Sequence, residues 1–184
     1  MQNQNMVDSA STVNELPRLG YSVRGIANWI LDYADELGLP VTNMALNKLV
    51  FFAFERVLIE EGALLTDAKI EAWDHGPVFR EIYHGFKNYS DRPIKGRLEF
   101  YSFDTGKSEV VITHVDVATE KVLKDTLKPL IPLSASRLRN MSHIEGGAWH
   151  QVWCHDGYAN PGMEITPQLV LDTAQERGTV RGIC

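Results

Sequence analysis

Residues 42–62 read TNMALNKLVFFAFERVLIEEG, and this stretch decides how the rest of the chain packs. Apolar side chains cover most of the circumference of the helix that it predicts, which is typical of a helix buried on all sides. Thr42 suits the N-cap, and Gly62 suits the position where a left-handed backbone ends many helices. We therefore predict a central buried helix from Thr42 to about Glu61 as the core of the fold.

Lys48 is the only charged residue between positions 43 and 54. A lysine buried in such a helix requires a partner for its charge. Glu71 and Asp74 are the candidate partners, and either pair would make Lys48 a polar support of the fold.

Other helices are predicted from apolar spacing, cap residues and breakers. They cover 22–38, a segment with Pro77 as its first residue, Asp116 to Pro129, a segment after Ser134, and Thr166 to Gly178. Ala68–Trp73 is predicted as a short strand. Leu98–Phe103 and Glu109–Val115 are predicted as a hairpin joined at Asp104–Lys107.

These elements predict an α+β class that is mainly α: a compact helical domain with a central buried helix and a small β-hairpin. Residues 1–20 are polar and lack periodicity, so we expect a flexible N-terminal lead-in. The domain itself is expected over 21–178, and 179–184 form a C-terminal tail.

Charge is distributed unevenly along the chain. The net charge is −6, and residues 1–86 hold 12 acidic and 6 basic residues, whereas 87–184 hold 12 of each. An acidic face repels phosphate backbones, which argues against a nucleic-acid partner, and it either favours a basic protein or simply keeps the chain in solution. The polar side of the first helix carries Arg24, Asn28, Asp32, Asp35 and Glu36, and its three acids, Asp32, Asp35 and Glu36, are the candidate partner-facing residues.

The two cysteines, Cys154 and Cys184, do not form a disulfide framework, and the N-terminus has no secretory pattern. The longest apolar run, 49–54, is too short to cross a bilayer. These features favour a cytoplasmic protein with no membrane partner.

Motifs for catalysis or cofactors are incomplete. Gly106-Lys107-Ser108 ends like a phosphate-binding loop, but Tyr101 stands where the motif requires glycine, and a strand is predicted after it. His143, His150, Cys154 and His155 lack the spacing that directs ligands at one metal ion. We therefore expect no enzyme, no metal and no cofactor.

The segment 69–78, KIEAWDHGPV, carries the most distinctive pattern. Trp73 and His75 precede a Gly-Pro pair, and Gly76 permits a positive φ or a close backbone approach. Together with its neighbours, this segment resembles the Panacea-domain, or SocA-like, family. The residues that carry the resemblance are Met44, Leu46, Lys48, Leu49, Phe52, Gly62, Leu64, Glu71–Trp73, His75–Val78, Tyr83, Phe86, Tyr89, Leu133–Ala135, Leu138, Ser142, His143, Trp149 and Ile165.

The resemblance covers about residues 22–177, with two departures. Asn47 replaces the usual glutamine, and the last helix lacks an aromatic end. Residues 94–115 show no family motif. The resemblance implies a mainly helical antitoxin without a cofactor, which neutralises a protein toxin encoded beside it by direct contact.

Two alternatives stay open at this point. The protein could instead be a proteolytic adaptor that delivers the toxin to a protease, with a second binding surface on the N-terminal tail. It could also be a DNA-binding autorepressor, but no additional DNA-binding domain is visible, and the acidic composition counts against it.

Eight motif residues are candidate toxin contacts or candidate core residues. They are Lys48, Trp73, His75, Gly76, Pro77, Tyr83, His143 and Trp149. Tryptophan and tyrosine serve in cores and in interfaces alike, so residue type alone leaves both roles open.

Overall fold

The computed structural model describes residues 16–157 and 159–181. The helices are α1 Val23–Glu36, α2 Asn43–Glu61, α3 Arg80–Phe86, α4 Val117–Leu127, α5 Ala135–Ser142, α6 Ala148–Trp153 and α7 Pro167–Arg181. The strands are β1 Ile70–Trp73, β2 Gly76–Val78, β3 Glu99–Ser102, β4 Lys107–Val110 and β5 Glu164–Ile165. The predicted α+β class with mainly helical content is confirmed.

The second helix is the centre of the molecule, as predicted. The Thr42 hydroxyl accepts a hydrogen bond from the Ala45 N–H, and Gly62 ends the helix with a φ of 63°. Helix α2 packs against α1, α3, α4, α5 and α7. Its buried apolar residues therefore meet neighbours on every side, and burying each large side chain contributes roughly 1.5–3 kcal/mol.

A three-stranded antiparallel sheet lies beside α2, in the order β2-β1-β5. The prediction that Pro77 begins a helix is wrong, because Pro77 lies in β2 opposite Ala72, and α3 begins three residues later at Arg80. Tertiary contacts hold this segment extended: the Pro77 carbonyl accepts from Lys48 Nζ, and the Phe79 N–H donates to Asn47 Oδ1. A proline without an N–H is tolerated there because β2 is an edge strand.

Strands β3 and β4 form a separate two-stranded hairpin, which is shorter than predicted. Its base is fixed to α1 by Asn28, which the sequence placed on the polar face but which is buried. Asn28 Nδ2 donates to the carbonyls of Leu98 and Val111, at 2.9 Å each, and Oδ1 accepts from the Leu98 N–H at 2.8 Å. These three hydrogen bonds therefore fix the base of the hairpin against α1.

Two of the three candidate partner-facing acids are already paired within the chain. Arg97, next to the hairpin base, lies 2.7 Å from Asp32 and 2.5 Å from Asp35. Both carboxylates are exposed, so they remain accessible, but they also attach the hairpin to α1. Glu36, in contrast, makes no ion pair with a described residue.

The two ends of the domain differ from their predictions. Residues 16–20 of the expected lead-in pack on the core, since the Leu19 N–H donates to the Leu64 carbonyl and the Leu64 N–H donates to the Pro17 carbonyl. Helix α7 does not end at Gly178 but continues to Arg181. Residues 1–15 and 182–184 lie outside the described residues.

Reversing the two paired acids tests their structural role. Asp32→Lys with Asp35→Lys should lower the free energy of unfolding by about 1 kcal/mol, because Arg97 then faces like charges; solvent screening at exposed carboxylates keeps the loss small. Glu36→Lys is the matched control and should stay within about 0.5 kcal/mol of wild type in urea unfolding. Equal stability of the double variant and the control would show that the Arg97 pairs carry no stability.

Candidate functional site

The motif residues converge where the β1–β2 turn meets α2. Gly76 has a φ of 102°, and a Cβ built on it would lie 2.7 Å from Lys48 Cε, 2.7 Å from Ser142 Oγ and 3.1 Å from His143 Nε2. The prediction that Gly76 holds a backbone geometry closed to side chains is confirmed. The turn can lie this close to α2 and α5 only because residue 76 has no side chain.

Lys48 is buried beneath this turn, with 1% of its surface exposed. Its Nζ donates to the Pro77 carbonyl at 2.8 Å. The predicted carboxylate partner is wrong, because Glu71 instead accepts from Trp73 Nε1 and pairs with Arg80, while Asp74 pairs with His75. Burial lowers the pKa of Lys48 to about 7, and the nearby charge of Arg139 acts in the same direction.

His143 and Trp149 support the turn from the other side. Their rings stack with centroids 3.6 Å apart, and Trp149 Nε1 donates to the Trp73 carbonyl at 2.8 Å. Burial lowers the pKa of His143 to about 4, and the charges of Arg139 and Lys48 add to this effect. Trp149 itself is buried and His143 is half-buried, so Trp149 occupies a core position and His143 lies at the edge of the core.

The remaining motif residues line an open cleft of about 330 Å³, which we call the motif cleft. Trp73 is half-buried, and its ring meets the exposed Tyr83 edge-on at 4.8 Å. His75 is exposed at the turn. The motif thus has two parts: Gly76, Pro77, His143 and Trp149 build the turn, whereas Trp73, His75 and Tyr83 face the cleft and Lys48 links the two.

Two buried asparagines on α2 shape the cleft, and sequence reasoning missed their role. Asn47 Nδ2 donates to Asn43 Oδ1 at 3.0 Å, and Asn47 Oδ1 accepts from the Phe79 N–H at 2.9 Å. Asn43 Nδ2 donates to the Tyr83 carbonyl at 3.0 Å, which fixes α3 against α2. The sequence feature that indicates this role is a pair of amide side chains inside a strongly apolar helix, because buried amides require hydrogen-bond partners.

A second exposed feature lies outside the motif. Among the described residues, six of the eleven exposed large apolar side chains lie between positions 100 and 117, and we call them the hairpin surface: Phe100, Tyr101, Phe103, Val110, Ile112 and Val117. The Tyr101 and Phe103 rings meet edge-on at 5.4 Å. Phe103 is 92% exposed, so nothing in the described chain covers it.

Among the described residues, the segments with partial nucleotide or metal motifs do not form such a binding site. Lys107 is the first residue of β4, not a turn residue as predicted, and no helix follows it. Within residues 16–157 and 159–181, no group of three or more His, Cys, Asp or Glu side chains is arranged to hold a metal ion. None of the helices in that part of the chain has the length and apolar content needed to cross a membrane.

Comparison with known proteins places the cleft within a shared domain. Residues 46–150 match the family model described as antitoxin SocA-like, Panacea domain. Antitoxin SocA of Caulobacter vibrioides (strain NA1000 / CB15N) is 33% identical over 150 residues, which cover 81% of this chain and 80% of that protein. No solved structure matches the chain significantly.

Adding a side chain at Gly76 tests the close approach of the turn. Gly76→Ala should cost roughly 1–3 kcal/mol for the positive φ, plus the displacement of Lys48 and Ser142. Gly38→Ala is the matched control, since Gly38 has a φ of 69° with nothing within 4 Å of its Cβ position, and it should cost only the backbone term. Equal losses in urea unfolding would contradict the close packing of the turn.

The depressed pKa of Lys48 makes stability depend on pH. Between about 7 and the ordinary lysine value of 10.5, the unfolded chain holds a proton that folded Lys48 has lost. Unfolding then takes up a proton, so the free energy of unfolding should rise as the pH increases through this range.

The measurement compares urea unfolding at pH 7 and about pH 9.5. Lys48→Met should show a smaller gain than wild type, whereas Lys95→Met, at an exposed position, should keep the wild-type gain. If Lys48→Met gains as much as wild type, Lys48 is not the group that titrates.

Proposed function

The chain belongs to the SocA-like, Panacea-domain antitoxin family, and we propose that it neutralises a cognate protein toxin by binding it directly, without catalysis. The family membership implies a toxin partner. The observation that carries direct binding is the hairpin surface, because six large apolar side chains left exposed within residues 100–117 favour a protein interaction site.

The hairpin also offers a means of attachment. Strands β3 and β4 pair only with each other, so each has an outer edge that pairs with no other described strand. A partner strand can add to such an edge through main-chain hydrogen bonds, while its side chains supply specificity. We propose that a strand of the toxin occupies this edge.

The charge of the hairpin defines the chemistry of that strand. Glu99, Asp104 and Glu109 lie on the hairpin, against one lysine, Lys107. A strand that alternates basic and apolar residues complements this arrangement and would be drawn to it electrostatically. A second copy of this chain would instead bring like charges together, which favours the toxin as occupant.

The position of the hairpin favours a role in partner choice. It lies within residues 94–115, where the sequence shows no family motif, whereas the motif residues build the turn and the cleft. We infer that the motif residues support the fold and that the hairpin selects the toxin.

A double substitution on the hairpin tests this proposal. Phe103→Ser with Ile112→Ser should weaken the complex with the protein encoded by the neighbouring gene at least ten-fold and abolish growth protection in co-expressing cells. The melting temperature should stay near wild type, because these side chains are 92% and 74% exposed. The matched control, Ile59→Ser with Met163→Ser, removes exposed apolar groups away from the hairpin and should bind normally.

The outcomes separate the possible mechanisms. Absence of a wild-type complex by calorimetry with that neighbouring protein would overturn direct binding. Normal binding by the double variant would overturn the hairpin surface but leave direct binding intact. Protection that disappears in a protease-deficient host, although the complex still forms, would favour the proteolytic adaptor.

A further inference from the structure

We infer that the motif cleft is a binding site for a carboxylate on an apolar stem, presented by an acidic side chain or the chain end of the bound toxin. This inference rests on the proposed function for the identity of its ligand. The argument for the site itself depends only on the cations beneath the cleft and on its walls.

The cations around the turn have hydrogen-bond donors that no described residue uses. Below its pKa of about 7, Lys48 carries three ammonium protons. It lines the cleft, but its one hydrogen-bond acceptor among the described residues is the Pro77 carbonyl. Behind the turn, Arg139 Nη2 donates to the Asp74 carbonyl at 3.4 Å, while Arg139 Nε is buried without a partner in the described chain. A buried cation without an anion is costly, and an incoming anion would offset that cost.

The charges at the cleft favour an anion over a cation. Lys48 and Lys87 line it, against one carboxylate, Asp74. Arg139 adds a third positive charge at the turn. This excess of positive charge at the cleft contrasts with the net charge of −6 for the whole chain. The cleft would therefore repel the basic groups of a partner that are attracted to the hairpin.

The side chains that line the cleft indicate the chemistry of the rest of the ligand. Trp73 and Tyr83 form an aromatic corner, and Met44 and Val78 add apolar surface. A pocket of this composition, with few polar groups, binds an apolar body and orients it by its charged end. A phenylalanine-like stem ending in a carboxylate fits both properties.

The opposite polarities of the two surfaces give the partner a defined orientation. Its basic strand is directed to the hairpin, and its acidic group is directed to the cleft. A partner with the charges exchanged would place like charges together at both positions, which rejects it.

The first experiment titrates the full chain with N-acetylphenylalanine and follows amide and indole chemical shifts by NMR. We expect the Trp73 indole signal to move and saturate, and the neutral N-acetylphenylalaninamide to bind at least ten-fold more weakly. N-acetylglutamic acid α-amide, with N-acetylglutamine α-amide as its neutral control, distinguishes an acidic side chain from a chain end.

Substitutions in the cleft test whether its side chains cause the preference for the acid over the amide. Lys48→Met should make the acid and its amide bind equally, and Lys95→Met should leave the preference unchanged. Since Lys48 also supports the turn, Tyr83→Ser and Lys87→Gln at exposed positions provide a second test, and each should weaken binding of N-acetylphenylalanine. Equal binding of acid and amide by the wild type, or binding that ignores all three cleft substitutions, would overturn the site.

A competition experiment connects the site to the toxin and separates the two proposals. Saturating N-acetylphenylalanine should weaken the complex with the neighbouring-gene protein, and the amide should not. Carboxylate binding without any such complex would overturn the proposed function but would still support the carboxylate site in the cleft. A complex unaffected by either compound would overturn the toxin as the source of the carboxylate.

Discussion

The hydrogen bond from the Lys48 ammonium to the Pro77 carbonyl is the constraint on which the rest of the motif depends. It attaches an edge strand to the central helix and keeps residues 76–78 extended where a helix would otherwise begin. Helix α3 therefore starts only at Arg80, and its displacement leaves the motif cleft between α2, the turn and α3. The same bond leaves most of the hydrogen-bonding capacity of a buried cation unused. A structural contact and a binding capacity thus reside in one side chain.

The helices could be predicted because their signals are local. Thr42, Asp116 and Ser134 each accept hydrogen bonds from the first turn of the helix that follows them, as N-caps do. The errors occurred where a distant residue decides the outcome. Pro77 is a common first helical residue, but Lys48, 29 positions earlier, holds it in a strand. Asn28 similarly has the spacing of a solvent-facing residue, yet it satisfies the backbone of a hairpin 70 residues away.

The site was located by its motif, but the roles of its members could not be read from residue type. His143 stacks on the buried Trp149 behind the turn, whereas Trp73 and Tyr83 face the cleft, although all four belong to the same pattern. Their contacts distinguish them, and those contacts depend on the packing of segments that are far apart in sequence. The hairpin surface had no motif at all. Apolar residues in this segment are equally compatible with a buried hairpin, so only the three-dimensional structure shows that they are uncovered.

Gly76 has a consequence for how this chain can change over evolution. The space that its side chain would need is filled by Lys48 Cε and Ser142 Oγ. A side chain at position 76 would therefore meet both Lys48 and Ser142, and the positive φ would stay unfavourable even if both were smaller. The effect of a substitution at any one of these three positions therefore depends on the residues at the other two. The exposed hairpin side chains make none of these contacts, so substitutions there leave the packing of the turn unchanged.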